Sequence, residues 1–65
     1  MTLKDAQHTV AAYHCTLRRT GFGAEVRVNL RNWPEATAYY TDCLDDAVAT
    51  AQDMWKRHQA HEEVA

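Results

Sequence analysis

The most regular segment of the chain reads Ala24-Glu25-Val26-Arg27-Val28-Asn29-Leu30-Arg31. Apolar and polar residues alternate along it, and a period of two is typical of an extended strand with one buried side. Val26 and Val28 therefore face a core, whereas Arg27 and Arg31 face the opposite side. The pattern predicts a strand over residues 24–31.

A second alternating segment precedes this strand, over residues 9–19. It has an inward set and an outward set of side chains, which are Ala11, Tyr13, Cys15 and Leu17, and Ala12, His14, Thr16 and Arg18. Residues 20–23 follow, and their two glycines can adopt the positive φ angles that a hairpin turn needs. Because the connection is short, we expect the two strands to pair antiparallel.

A turn at residues 32–35 leads to a third and weaker strand over residues 36–41. Pro34 marks the turn, because its ring fixes φ and it has no N–H to donate to a sheet. We expect Ala38 and Tyr40 to face inward, since small residues leave room for a helix, and Tyr39 to face outward. A shift of one residue would reverse these two sides.

From residue 43 to residue 59 the apolar residues change to the period of an α-helix. One stripe of this helix consists of Leu44, Ala47, Val48, Ala51, Met54 and Trp55. We expect Asp42 to be the N-cap, where a side-chain oxygen can accept a hydrogen bond from a backbone N–H.

The sequence therefore predicts a single α+β domain over residues 9–59, between a flexible arm at residues 1–8 and a frayed tail at residues 60–65. Its architecture is a three-stranded antiparallel β-meander with one C-terminal α-helix packed on one face, in the order βββα. Trp55 is expected at the same end of the core as the turn that contains Trp33. The predicted core is Tyr13, Leu17, Val26, Val28, Leu30, Leu44, Val48, Ala51, Met54 and Trp55.

Length and composition exclude several classes of protein. The chain has 65 residues, 46% of them hydrophobic and 25% charged, which suits one small globular domain. It contains no apolar run of the roughly 18 residues that would cross a bilayer, and residues 1–10 do not read as a signal peptide. We expect a cytoplasmic protein in which both cysteines, Cys15 and Cys43, stay reduced.

No constellation of residues predicts catalysis. His58 and His61 have a spacing that can bind a metal, but no second pair of ligands accompanies them, and the end of a helix explains them better. Cys43 lies near a helix N-terminus without a histidine base, which favours an inert or mildly reactive thiol. We predict a protein that is not an enzyme and has no cofactor, no metal and no small-molecule substrate.

The sheet face away from the helix is the most informative feature. We expect it to display His14, Thr16, Arg18, Arg27, Asn29, Arg31, Thr37 and Tyr39. Such a face is either simply solvated or a binding face, and arginine, asparagine and tyrosine are typical of the second. The charge is also uneven, because residues 1–41 hold five basic residues against three acidic ones, whereas residues 42–65 hold two against six.

Two segments resemble HicB-type antitoxins. They are the strand and turn from Gly23 through Trp33-Pro34-Glu35, and the helix start Thr41-Asp42-Cys43-Leu44-Asp45-Asp46-Ala47 with its continuation to Ala51. Cys43 stands where that family has a capping threonine. The resemblance implies an oligomeric protein that neutralises a toxin by covering it.

The order βββα with arginines on the open face also resembles the ethylene-response-factor DNA-binding domain of plants and the arm-binding domain of phage integrases. In those domains the sheet enters the major groove, and Arg18, Arg27 and Arg31 are the matching positions here. A net charge of −2 counts against strong binding to DNA.

Our leading prediction is a regulatory or accessory protein that binds a protein partner through the sheet face. Nucleic-acid binding by the same face and a homodimeric orphan domain are the alternatives. A homodimer would pair by strand edges or by sheet faces.

Overall fold

The computed structural model describes the backbone of residues 1–64 and the side chains of residues 1–60. Its elements are helix α1 (Leu3–Ala11), strand β1 (Cys15–Arg19), strand β2 (Val26–Leu30), a 3-10 helix (Glu35–Thr37), strand β3 (Tyr39–Thr41) and helix α2 (Leu44–Val64). The strands form one antiparallel sheet in the order β1-β2-β3, so the predicted α+β class and meander are confirmed. The prediction of a single helix is wrong, because α1 precedes the sheet.

Helix α1 replaces the predicted flexible arm at residues 1–8. Thr2 caps it with a reciprocal pair of bonds, in which the Thr2 hydroxyl accepts from the Asp5 N–H and the Asp5 carboxylate accepts from the Thr2 N–H. Ala6 and Val10, one helical turn apart, are fully buried. The helix lies against both β1 and α2, so burial of this apolar pair orders the N-terminus.

The predicted first strand began too early, because residues 9–11 belong to α1. A turn after Ala11 ends the helix, and the N–H of His14 donates to the Ala11 carbonyl. His14 has φ of 58°, in the left-handed region. This reversal directs the chain into β1 at Cys15, so His14 lies at the junction and not within the strand.

Both helices cover the same face of the sheet. In the register of β1 and β2, Cys15 opposes Leu30 and Leu17 opposes Val28, and directly opposed residues share a face. All four are buried, as is Val26. The sides predicted for Val26, Val28 and Arg27 are those in the structure, with the two valines under the helices.

The sides predicted for the third strand are reversed. Tyr39 opposes Val28, so it lies on the helix-covered face, and its hydroxyl donates to the Asp46 carboxylate of α2 at 2.7 Å. Tyr40 opposes Arg27 and lies on the uncovered face. The 3-10 helix consumes residues 35–37, so β3 starts at Tyr39 and not at residue 36.

Helix α2 begins at Leu44 and continues to Val64, past the predicted end at residue 59. The Cys43 carbonyl accepts the first helical bond from the Ala47 N–H, so Cys43 and not Asp42 takes the N-cap position. Residue 65 and the side chains of residues 61–65 lie outside the described residues. The described helices include none that is long and apolar enough to cross a membrane.

The core lies between the helices and the sheet. Five residues predicted for it, Leu17, Val26, Val28, Leu30 and Ala51, are buried together with Ala6, Val10, Cys15 and Ala47. The other five pack against this cluster while partly exposed; they are Tyr13, Leu44, Val48, Met54 and Trp55.

Candidate binding surface on the open face of the sheet

The open face is the side of the sheet away from both helices, and it carries Thr16, Arg18, Arg27, Asn29 and Tyr40. The register places these side chains together, because Thr16 opposes Asn29, Arg18 opposes Arg27, and Arg27 opposes Tyr40 on the next strand. The segment 33–37 crosses part of this face. Its two halves therefore differ, one covered by that segment and the other open to solvent.

Asn29 belongs to the covered half and is 1% exposed, so it does not display its amide as predicted. Its Nδ2 donates to the carbonyls of Trp33 at 3.3 Å and Pro34 at 3.1 Å. Its Oδ1 accepts from the Leu30 N–H at 3.0 Å and the Thr37 hydroxyl at 2.9 Å. The amide is thus fully engaged in holding the turn after β2, and Asn29 has a structural role.

Arg27 is paired within the chain. Its Nε donates to Glu35 Oε2, and the Tyr40 hydroxyl donates to the same oxygen at 2.8 Å. The Arg27 side chain is only 13% exposed, whereas that of Glu35 is 62% exposed. The hydrogen bonds from Arg27 and Tyr40 lower the pKa of Glu35, and the bond to Glu35 raises the pKa of Arg27.

Glu35 also relieves a repulsion between two arginines. Arg18 lies directly opposite Arg27, and like charges at that position destabilise a sheet. The positive charge of Arg18 is among the causes that lower the pKa of Glu35, so this carboxylate acts on both guanidinium groups. The Arg27 guanidinium is engaged in the ion pair with Glu35, so Arg18 is the exposed cation of the two arginines.

A groove lies at the end of the open face where β1 turns into β2. Its volume is about 480 Å³. The hairpin groove, as we name it, is lined by Arg18, Arg19, Thr20, Phe22, Glu25, Arg27 and Tyr40. Both of the aromatic side chains in this lining face solvent, since Phe22 is 78% exposed and Tyr40 is 46% exposed.

The turn that carries Phe22 is held by four hydrogen bonds. The Thr20 N–H donates to the Glu25 carbonyl and the Glu25 N–H to the Phe22 carbonyl, both at 3.1 Å. The Thr20 hydroxyl donates to the Glu25 carboxylate at 2.8 Å and accepts from the Phe22 N–H at 3.3 Å. Gly21 and Gly23 have φ of 97° and 59°, which favours glycine at both positions. An exposed phenylalanine is therefore presented on an ordered turn.

Three residues predicted for the binding face lie elsewhere. The His14 ring stacks on the Trp55 ring of α2, with 4.2 Å between centroids. Tyr39 lies on the helix-covered face of the sheet, where its hydroxyl donates to Asp46 of α2. Arg31 is exposed but follows the end of β2, four residues from Arg27, a separation of about 13 Å along a strand. The arginines therefore do not form one cluster.

His14 and Trp55 belong to an aromatic group at the end of the molecule opposite the hairpin groove. Trp33 meets His58 edge to face at 5.4 Å, and Trp55 lies 5.7 Å from the same imidazole. The two tryptophans thus share one end of the core, as the length of the helix and the strand predicted. These contacts engage both histidines in packing.

Sequence reasoning missed several residues of the hairpin groove. The sequence predicts a glycine turn at residues 20–23 but does not single out Phe22, because isolated apolar residues are common on protein surfaces. The pattern predicts Tyr40 on the inward side of the third strand, although not in the core, and predicts Glu35 only as a turn residue. The contact between Glu35 and Arg27 depends on the 3-10 helix, which the pattern of apolar and polar residues does not predict.

The described residues contain no group of three or more histidine, cysteine or acidic side chains placed to hold a metal. His61, half of the pair weighed as a metal site, has its side chain outside them. Both cysteines are free, Cys15 buried and Cys43 exposed. Burial raises the pKa of the Cys15 thiol, which keeps it protonated and unreactive.

In the comparisons with known proteins, no family model, no curated protein and no solved structure matches this chain. The resemblances to HicB-type antitoxins and to sheet-based DNA-binding domains therefore stay predictions. The chemistry of the open face is therefore the basis for inferring a function.

Proposed function

We propose that this chain is a small non-enzymatic binding domain that engages a protein partner through the open face of its sheet. The observation that carries the proposal is the uncovered half of that face. There an exposed arginine, Arg18, lies beside the exposed aromatic rings of Phe22 and Tyr40. Arginine and aromatic residues dominate the energetic centres of protein interfaces.

The charges of the open face favour a protein over a nucleic acid. Of the three arginines expected to contact phosphates, Arg27 is neutralised by Glu35, and Arg31 lies at the far end of β2. Glu25 adds a second carboxylate beside the groove. Binding to a duplex needs several phosphates neutralised together, which one exposed arginine and its neighbour Arg19 do not supply.

A toxin is one kind of partner that suits this proposal, as the resemblance to HicB-type antitoxins implies. A homodimer is a separate candidate, and an exposed strand edge would be its natural site. The free edge of β1 is partly occupied, because the Gln7 side chain donates to the Leu17 carbonyl at 2.9 Å. Recognition by the face is therefore favoured over pairing by the edge.

The test is capture of partners from the native cell with the full chain as bait, beside three variants. Thr16→Tyr adds bulk at the centre of the open face while keeping a residue that favours strands. Arg18→Glu reverses the exposed charge, and Lys56→Glu makes the same reversal on the exposed surface of α2. All four baits are treated with nuclease, and retained proteins are identified by mass spectrometry.

We expect a protein that the wild-type chain and Lys56→Glu retain and that Thr16→Tyr and Arg18→Glu lose. Equal retention by all four baits would place the interface elsewhere and refute the proposal. Retention that disappears on nuclease treatment would favour the nucleic-acid alternative.

A further inference from the structure

We infer that the hairpin groove is a recognition site for an acidic protein segment that also carries a large apolar side chain. The inference rests on the proposed function and specifies its ligand. The site is an open groove of about 480 Å³ between the β1–β2 turn and β3. That volume accommodates a few side chains of an extended segment, not a whole helix.

The charges of the groove select an acidic ligand. Arg27 shows how a carboxylate is bound here, because Glu35 already occupies it with help from the Tyr40 hydroxyl. Arg18 stands directly across the strand pair from Arg27, and Arg19 follows it at the end of β1. Both are exposed. A carboxylate of the partner would meet the Arg18 guanidinium as Glu35 meets Arg27. Arg19, in contrast, opposes the buried Val26 and contributes only to the lining at the end of β1.

The aromatic side chains of the groove select an apolar neighbour of that carboxylate. Phe22 is the most exposed large hydrophobic side chain among the described residues, and Tyr40 lines the same groove. An exposed phenylalanine costs free energy in water, and covering it is a source of affinity. Because four hydrogen bonds fix its turn, little backbone conformational entropy is lost when Phe22 is covered.

Two other occupants are less suited to the site. Single-stranded nucleic acid also uses arginine and aromatic residues, but it carries a charge at every nucleotide, so its further phosphates would lie near the carboxylates of Glu25 and Glu35, whereas a single carboxylate needs only the Arg18 guanidinium. A second copy of this chain offers acidic residues at the start of α2. Tyr39 already donates to one of these, Asp46, at 2.7 Å, which engages that carboxylate within its own chain.

The experiment selects peptides from a displayed random library on the immobilised full-length chain. The same library is selected on Arg18→Gln, on Phe22→Ser and on the control Lys56→Gln. Phe22 and Arg18 are exposed, so both variants are expected to fold, and circular dichroism verifies this. Binding of the enriched peptides and of a 12-nucleotide single strand to the chain is then measured by fluorescence anisotropy. Sedimentation of the chain alone measures its self-association.

We expect enriched peptides with an aspartate or glutamate within two residues of an aromatic or aliphatic side chain. Arg18→Gln and Phe22→Ser should each weaken their binding by about tenfold, and Lys56→Gln should not. Enrichment without an acidic bias, or equal binding by all variants, overturns the inference. So does tighter binding of the single strand than of any peptide, or self-association that Arg18→Gln abolishes.

The outcome also separates this inference from the proposed function. A cellular partner that Thr16→Tyr loses and Phe22→Ser keeps would leave the open face as the interface and reject the groove as its centre. A partner that both variants keep would reject the proposed function itself.

Discussion

Asn29 connects the second strand to the segment that covers half of the open face. Its amide makes bonds to two carbonyls, one N–H and one hydroxyl, and the side chain is buried. A buried polar group stabilises a fold only while its partners are satisfied, and removing it leaves those partners without bonds. The position therefore tolerates little change even though it lies on the exposed side of a strand by sequence pattern.

We expect Asn29→Ala to lower the free energy of unfolding by about 2–3 kcal/mol, because it removes four hydrogen bonds, of which the one from the Leu30 N–H is buried and the other three are partly buried. Thr16→Ala, on the directly opposed and exposed position of β1, should change it by less than about 0.5 kcal/mol. Urea denaturation followed by tryptophan fluorescence measures both. Equal midpoints for the two variants would mean that the network does not hold the turn.

Glu35 gives the molecule a pH dependence at the acid end. Its pKa in the folded chain is lowered, first by the bond from Arg27 and then by the bond from Tyr40. A carboxylate of this kind stabilises the fold above its unfolded pKa, and the contribution is lost as the pH falls through the folded pKa. The ordinary pKa of the group is 4.5, so the loss belongs below that pH.

We therefore expect the stability difference between the wild-type chain and Glu35→Gln to be constant near neutral pH and to shrink as the pH falls below 4.5. The same substitution in an Arg27→Gln background is the control, since the main cause of the lowered pKa is then absent. Thermal unfolding between pH 2 and pH 7 measures the difference. A difference that does not vary with pH would contradict the pairing.

At the scale of elements, α1 is the addition that makes so short a chain able to build a core. A domain of 65 residues buries a smaller share of its surface than a large domain does, so its stability is marginal. Here α1 closes one end of the layer above β1, with Val10 and Ala6 fully buried against the sheet and α2.

The matching prediction compares two positions of α1. Val10→Ala removes two buried methyl groups and should cost about 2 kcal/mol. His8→Ala, at an exposed position of the same helix, should cost less than about 0.5 kcal/mol. Chemical denaturation quantifies both, and amide hydrogen exchange of residues 3–11 reports on the helix itself. If Val10→Ala leaves stability and exchange unchanged, α1 is not docked on the sheet.

The elements also show what the sequence could predict and what it could not. The segment 24–31 alternates without exception, and the structure forms a strand over the shorter Val26–Leu30, with Val26, Val28 and Leu30 on the predicted buried side and Asn29 buried on the side predicted to be displayed. The prediction carried the first strand back to residue 9, but Val10 belongs with Ala6 at helical spacing, and the Thr2–Asp5 capping box is a local signal of that helix. The alternation that marks the strand begins only at Tyr13, after the end of the helix.

The third strand fails for a different reason. Tyr39 and Tyr40 are adjacent and chemically alike, so neither side of the strand is marked by polarity. The 3-10 helix between the turn and β3 uses three residues, and this decides which tyrosine meets α2. The candidate surface depended on that choice, since Tyr40 and not Tyr39 lies beside the arginines.

At the scale of the whole molecule, two helices on one side leave the sheet with one open face and two free edges. An unpaired edge is a template for pairing with another chain. The edge strand β3 has only three residues, which limits pairing there. The longer free edge belongs to β1. Whether this edge is covered determines whether the chain can self-associate by strand pairing.

Gln7 is the residue that covers this edge. The Arg31 N–H donates to the His14 carbonyl and the Thr20 N–H to the Glu25 carbonyl, so the even-numbered residues of the β1 segment are the ones that bond to the β2 segment. The backbone of Leu17 therefore points away from β2, and its carbonyl accepts from Gln7 Nε2 at 2.9 Å. Helix α1 thus supplies a donor to the edge that another strand would otherwise use.

We expect Gln7→Ala to increase concentration-dependent self-association, measured by sedimentation velocity, because the Leu17 carbonyl becomes available to a second chain. Gln52→Ala is the matched control. It removes the bond of 2.8 Å from Gln52 to the Tyr13 hydroxyl, which lies between α2 and the junction before β1 and not on the edge. If both variants sediment as the wild-type chain does at every concentration, then Gln7 does not protect the edge. Self-association of the wild-type chain equal to that of Gln7→Ala would instead favour the homodimer alternative.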